Sequence, residues 1–324
     1  MNSISIRLGA QGAQVPPLGL GCMRMSGPPA TRDDAEAVAT IRAALDAGIE
    51  FLNTGDYYGH GHNEALVAQA IKGRRRDDAF LSVKFGALRS SSGQYIGIDV
   101  RPAAVKNFAA YSLQRLGVDV IDLYQPGRLD PSVPIEETVG AVAELITEGK
   151  VRYLGLSEVG AAQLRAAHRE HAVTALEIEY SLATRFIEAQ ILPTARELEI
   201  GVVAYGITGL GLLTGTPPKS PQAITPRLAP DNLPQNLRTV AALNALAERK
   251  NCAPAQLAIA WVLAQGDDVL ALIGMTRRTR ITENLESLDI TLTDAELSEL
   301  DKAFAPGAIA GDRLPPETMQ MSAQ

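Results

Sequence analysis

Val118-Asp119-Val120-Ile121-Asp122-Leu123-Tyr124, then Pro134-Ile135-Glu136 with Val139, Val142 and Leu145 behind it, then Gly149 and the run Val151 to Leu156, spell one strand–helix–strand unit. The flanking runs are short, apolar and rich in β-branched residues, while the middle segment spaces its apolar positions as one helix face. A strand joined to the next through a helix pairs with it in parallel.

The alternation extends in both directions. Upstream lie Pro17 to Cys22, Gly48-Ile49-Glu50-Phe51-Leu52-Asn53 and Ala79-Phe80-Leu81-Ser82-Val83-Lys84; downstream lie Val173 to Glu179, Ile200 to Tyr205 and Val269 to Ile273. Thr31-Arg32-Asp33-Asp34 reads as a capping box with Asp in the Glu role, followed by Val38, Ile41 and Leu45 on one face. Arg101-Pro102 opens another helix with the stripe Val105, Phe108, Ser112 and Leu116. Gly48, Gly117, Gly149 and Gly201 stand where helices give way to strands. Eight strands, each followed by a helix, predict an α/β fold, a single parallel (β/α)8 TIM barrel over 1–324. A doubly wound sheet is the competitor, but its Gly-x-Gly-x-x-Gly turn is missing after the first strand, where Cys22-Met23-Arg24-Met25 stands. A hairpin over about 3–15 and a tail over about 305–324 complete the domain.

Composition agrees with a globular chain. The 324 residues are 46% hydrophobic and 21% charged, which excludes disorder and collagen-like sequence. A net charge of −7 argues against nucleic acid or an anionic membrane as partner. Cys22 and Cys252 make neither a disulfide framework nor a metal knuckle. Met1 to Gly12 lacks a signal-type apolar stretch, and the longest apolar run, Leu257 to Ala264, is too short to span a bilayer. A soluble, cytoplasmic protein acting on a small molecule is expected, with its oligomeric state open.

In a barrel the chemistry sits where the strands end. Tyr58 follows the second strand and Lys84 ends the third. An ammonium beside a phenol favours the phenolate and lowers its pKa, so the couple makes a general acid for a carbonyl oxygen. The plain alternative is a lysine snorkelling at a strand end and a tyrosine packed in a loop.

Phe51-Leu52-Asn53-Thr54-Gly55-Asp56-Tyr57-Tyr58-Gly59 with Asn63-Glu64 resembles the signature of the aldo-keto reductase family around its catalytic tyrosine. Val83-Lys84-Phe85-Gly86, Ile121-Asp122-Leu123-Tyr124, Gly155-Leu156-Ser157-Glu158, Glu179-Tyr180-Ser181-Leu182, Val203-Ala204-Tyr205, Gly211-Leu212-Leu213-Thr214-Gly215 and Glu283-Asn284-Leu285 continue the likeness in family order. The resemblance implies NADPH-dependent reduction of aldehydes or ketones, with Tyr58 as proton donor and Lys84 lowering its pKa. It implies Gly21, Met23, Asn53, Ser157, Glu158, Glu177 and Tyr205 around the nicotinamide, with Ser157 on the carboxamide and Tyr205 stacked on the ring. Gly206, Ile207, Thr208, Gly209 and Gly211 would fold over the pyrophosphate. Gly274, Met275, Thr276, Arg277, Arg280, Glu283 and Asn284 would take the adenosine 2′-phosphate and adenine, where arginine forks suit a phosphate.

The likeness is broken at identifiable places. Asn53 stands where the family has the aspartate of an Asp-Tyr-Lys-His tetrad, and Gly127 where it has the histidine. Glu177 replaces a glutamine, Glu158 an asparagine, and Leu210 stands at a frequent arginine. His60 or His62 is a candidate for the missing donor, and Asp56 for the missing carboxylate. An incomplete tetrad also leaves a second function open, an NADPH-binding regulatory or sensor protein with little turnover. His168 and His171 read as a solvated helix face, Cys22 as packing, and Trp261 as helix core. Lys219 to Asn232, rich in proline, reads as a lid over the barrel mouth.

Overall fold

A computed structural model of the chain describes residues 5–216 and 225–323. Eight strands close into a barrel: β1 Leu18–Gly21, β2 Phe51–Gly55, β3 Phe80–Phe85, β4 Ile121–Pro126, β5 Val151–Ser157, β6 Val173–Glu179, β7 Gly201–Tyr205 and β8 Val269–Gly274. Neighbours pair in parallel all the way round, and β8 closes on β1 through Ala271↔Leu18 to Gly274↔Gly21. Parallel pairing puts every carboxyl end on one rim.

The strands are buried almost throughout because helices cover their outer face. Among these helices, α1 Asp34–Asp46, α2 His62–Ile71, α3 Pro102–Leu116 and α4 Ile135–Thr147 sit where the apolar spacing predicts them. The cap of α1 differs from expectation. Asp33 caps the helix and accepts from the Glu36 amide at 2.9 Å, because Thr31 already closes the preceding Pro29–Thr31 turn through its hydroxyl on the Pro28 carbonyl. The strand β2 also runs later than its apolar run suggests, so that Asn53 is its middle residue.

The hairpin Ile6–Leu8/Ala13–Val15 seals the amino-terminal end of the barrel. Its Ile6, Leu8, Ala13 and Val15 pack with Phe51, Leu123, Ala175, Val203 and Leu270. Gly201 belongs to this plug rather than to a helix cap: a Cβ there would lie 2.6 Å from the Leu8 side chain. Ser3, at the expected hairpin start, lies outside the described residues, as do Pro217, Pro218 and the lid segment up to 224.

Two features of the open rim carry little sequence signal. A second hairpin, Ala87–Arg89/Tyr95–Ile98, follows β3. The tail folds back over the rim. Arg313, 5% exposed, donates to the Ala323 carbonyl at 2.7 Å, and Arg128 donates to the Ser322 hydroxyl at 3.1 Å.

Candidate active site

Four strands deliver a ring of polar side chains to the interior beneath the rim. Lys84 of β3 is 4% exposed; its Nζ donates to Glu177 Oε1 of β6 at 2.8 Å and also to Asn53 Oδ1 of β2. Asn53 Nδ2 in turn donates to Glu177 Oε2 at 2.7 Å and to the Ser82 hydroxyl at 3.1 Å. Gln125 of β4 adds a donor to the same Glu177 oxygen at 2.5 Å. A buried ammonium needs an anion and satisfied hydrogen bonds. Asn53 brings no charge, and Glu177 brings it instead from across the barrel. Glu177 therefore lies within this ring, each carboxylate oxygen bonded to the protein.

Tyr58 sits directly above. The β2 strand turns at Gly55, with the Tyr58 amide donating to the Gly55 carbonyl at 3.1 Å, and the half-buried Tyr58 ring lies 5.4 Å from Lys84 Nζ. The loop is pinned from below. Thr54 donates to Asn63 Oδ1 at 2.7 Å, Asn63 Nδ2 donates to the Cys22 carbonyl at 2.8 Å, and the fully buried Glu64 pairs with Arg115. The Asn63-Glu64 pair thus holds the turn that presents Tyr58.

Lys84 does not set the net direction of the Tyr58 shift, which is upward. Burial, then the Glu177 charge, raise the Tyr58 phenol above its ordinary value, against smaller opposing effects from a Tyr57 hydrogen bond and the Arg128 charge. Burial is the larger cause, and the charge of the carboxylate paired with Lys84 adds to it. Tyr58 is consequently protonated at neutral pH, the state a proton donor requires.

Tyr57 fills the space that Gly127 leaves. A Cβ at Gly127 would lie 2.6 Å from the Tyr57 hydroxyl, so no side chain fits there while Tyr57 holds this position. The Tyr57 and Tyr58 rings meet edge to face with centroids 4.8 Å apart. The histidine candidates are engaged elsewhere. His60 faces the Ser90 carbonyl at 2.8 Å, and His62 bonds Ser26 through Nδ1 at 2.8 Å and Asp34 through Nε2 at 3.1 Å. Asp56 does not replace the lost aspartate either. It is buried beside Glu64, with its carboxyl pushed up to about 7 by burial and then by that charge.

On the other side of the mouth, Ser157 is buried at the end of β5 and Tyr205 ends β7. The Tyr205 hydroxyl donates to Glu158 Oε1 at 2.8 Å, and Arg313 of the tail grips the same carboxylate through Nη1 at 3.1 Å and Nη2 at 2.5 Å. Hydrogen bonds and charge from Arg313 outweigh burial and hold the Glu158 carboxyl below its usual range. Glu158 is thus an anchor for Tyr205 and the tail. The turn after β7 begins at Gly206 with φ +71° and packs so tightly that a Cβ would lie 2.9 Å from Glu179 Cγ. Ile207 and Gly209 are buried in it, whereas Leu210 is exposed.

At the β8–β1 seam Gly21 and Gly274 pair backbone to backbone, and a Cβ on Gly274 would meet only the Gly21 carbonyl, at 3.9 Å. Met23, Thr276, Arg277 and Arg280 are exposed around this seam, and Met275 and Asn284 are buried. Arg280 bonds Glu283 at 2.5 Å, and Arg278 pairs with Glu36 at 3.0 Å. Cys22 is fully buried with its thiol pushed up to about 12 by burial, which leaves it a packing residue. Among the described residues no group of three or more His, Cys, Asp or Glu could hold a metal ion, and no helix is long and apolar enough to cross a membrane.

Ser82 and Arg313 belong to this centre without having been expected there, and Tyr57, Gln125 and Arg128 belong to it from strand-end stretches where no role was assigned to them. Gln125 and Arg128 lie at a strand end, where the barrel rule directs attention, and Tyr57 adjoins Tyr58. Arg313 carries no such signal.

The profile of the Aldo/keto reductase family matches residues 17–305. A protein named probable aldo-keto reductase 1, from Glycine max, is 39% identical over 317 residues, spanning 95% of this chain and 91% of that protein. Among solved structures, glycerol dehydrogenase from Gluconobacter oxydans superposes with a TM-score of 0.85 at 30% identity, over 98% of this chain and 99% of that one. An aldo/keto reductase from Klebsiella pneumoniae, solved with NADP and acetate, gives a TM-score of 0.75 at 28% identity over 96% and 98% of the two chains.

Proposed function

The chain belongs to the aldo/keto reductase family, and from that premise we propose that it is an NADPH-dependent reductase of small aldehydes or ketones, working in the cytoplasm. The observation that carries this is a partly exposed Tyr58 standing over the buried Lys84–Glu177 pair at the open rim.

The rim suits a dinucleotide phosphate. The Gly21–Gly274 seam leaves backbone unobstructed, the Gly206 to Gly211 turn brings small residues to the mouth, and Arg277 and Arg280 offer exposed positive charge. Ser157 and Tyr205 would hold the nicotinamide end, and Gly206, Ile207, Thr208, Gly209 and Gly211 the pyrophosphate. Thr276, Arg277, Arg280, Glu283 and Asn284 would hold the adenosine phosphate, with Gly21, Met23, Gly274 and Met275 shaping the seam. Bound NADPH supplies the hydride. Replacing Arg277 and Arg280 together with alanine is expected to raise KM for NADPH about tenfold or more and leave KM for NADH nearly unchanged. Equal losses with both cofactors in steady-state assays would remove the phosphate contact.

Tyr58 gives its proton to the carbonyl oxygen as that oxygen gains charge, and in alcohol oxidation it takes the proton back. Lys84, with its Nζ 5.4 Å from the ring, stabilises the phenolate left behind. The Tyr57 hydroxyl stands where the family's histidine would begin, and its phenol is raised well above its ordinary value by burial, so it keeps its proton. It serves as the second hydrogen-bond donor to the carbonyl. Tyr57→Phe is expected to lower kcat/KM for carbonyl substrates about tenfold with NADPH affinity retained, as suits the loss of one hydrogen bond. Unchanged kinetics would leave Tyr57 a packing residue. Consumption of NADPH across a panel of aromatic and aliphatic carbonyls tests the reductase assignment as a whole.

A further inference from the structure

The ring of hydrogen bonds around Lys84 makes a more specific statement than the presence of a lysine. Its only carboxylate is Glu177, 4% exposed, bound at Oε1 by Lys84 and at Oε2 by both Asn53 and Gln125. Asn53 touches both partners of the ion pair, accepting from Lys84 through Oδ1 and donating to Glu177 through Nδ2. An amide and a carboxylate thus face each other beside the ammonium, with their hydrogen-bond directions fixed by which of them carries the charge. We propose that Glu177, together with Asn53, is the positioning residue that holds Lys84 beneath Tyr58, instead of serving as a ligand of the nicotinamide.

Three features support this. Glu177 already accepts from three protein donors, two of them on Oε2 and Lys84 on Oε1, so most of its acceptor capacity is spent inside the protein. The hydrogen bonds join four different strands, β2, β3, β4 and β6, so Lys84 is held from across the barrel rather than by its neighbours in sequence. The Glu177 charge is also the first effect after burial acting on Tyr58. Unlike a contact to cofactor, this role depends on the carboxylate being somewhere in the ring, and much less on which of the two positions carries it.

That dependence gives a test by exchange. Glu177→Gln leaves Lys84 with no anion. Asn53→Asp places two carboxylates face to face without a donor between them. The double variant Asn53→Asp/Glu177→Gln restores one acid facing one amide beside Lys84, with the Gln125 amide turned over so that its otherwise unpartnered Oε1 accepts from the exchanged pair. The inference rests on the reductase assignment for its kinetic arm, whereas thermal unfolding of the four proteins without cofactor reads the same pairing independently of turnover. Each single variant is expected to unfold several degrees below the parent, and the double to recover most of that loss. With a reducible carbonyl, Glu177→Gln is expected to lose kcat on the order of 10²-fold. The alkaline limb of its pH–rate profile should fall by about one unit, because the anion that raises Tyr58 is gone. The double variant should return both toward the parent. Losses that simply add in the double variant, in midpoint and in kcat, would overturn the proposal. So would a Glu177→Gln protein that keeps its pH profile and loses only NADPH affinity. If the parent shows no turnover at all, the reductase assignment fails while the unfolding cycle still decides the role of Glu177.

Discussion

Tyr58→Phe is expected to reduce kcat for carbonyl reduction by about 10²–10⁴-fold while NADPH affinity stays within about twofold. The substitution removes one oxygen and leaves the ring, so the edge contact with Tyr57 at 4.8 Å and the lysine approach at 5.4 Å persist. The phenol is raised by burial and by Glu177, so the group lost is the neutral acid the reduction needs. The effect should fall on kcat and kcat/KM together, because the proton moves only as the transition state forms. A variant with parental turnover would show that the proton comes from elsewhere, with Tyr57 the nearest alternative.

Lys84→Met should be damaging in two separable ways. Methionine matches the stem of lysine in length but leaves Glu177 as a buried carboxylate with no counter-charge. Removing one partner of a buried pair costs about 3–5 kcal/mol, and the Asn53 and Gln125 donors offset part of it. Denaturant unfolding should therefore show a clear drop in midpoint without cofactor or substrate. Activity should fall by at least about 10²-fold as well, since the phenolate left after proton transfer loses its nearby cation. Combining Lys84→Met with Glu177→Gln should recover stability but not activity. If the pair of changes is no more stable than Lys84→Met alone, the Lys84–Glu177 contact contributes nothing to the fold.

The barrel was legible because its signal is local. Each strand from Leu18–Gly21 to Val269–Gly274 is a short apolar run covered on both faces, and each crossover helix keeps its own periodicity. Tyr58 and Lys84 were legible for the same reason, since strand ends in a barrel share one rim. What balances Lys84 was not. Glu177 lies 93 residues from Lys84 and 124 from Asn53, and only closure of β6 against the interior brings them together. Position by position, Asn53 and Glu177 look like two separate defects, and in space they are one exchanged pair. Gly127 follows the same logic: taken alone it suggests a void, and Tyr57 from a different loop fills it. Arg313, 155 residues from Glu158, lies in a tail whose course over the rim no periodicity marks.

The most direct measurement of the central claim is isotope transfer from NADPH deuterated at the transferable nicotinamide position, followed by mass spectrometry of the product alcohol. The expected result is one deuterium on the former carbonyl carbon at a rate matching NADPH loss, with both abolished together in Tyr58→Phe. Tight NADPH binding with no labelled alcohol from any aromatic or aliphatic carbonyl would contradict it and leave a cofactor-binding protein without the reaction.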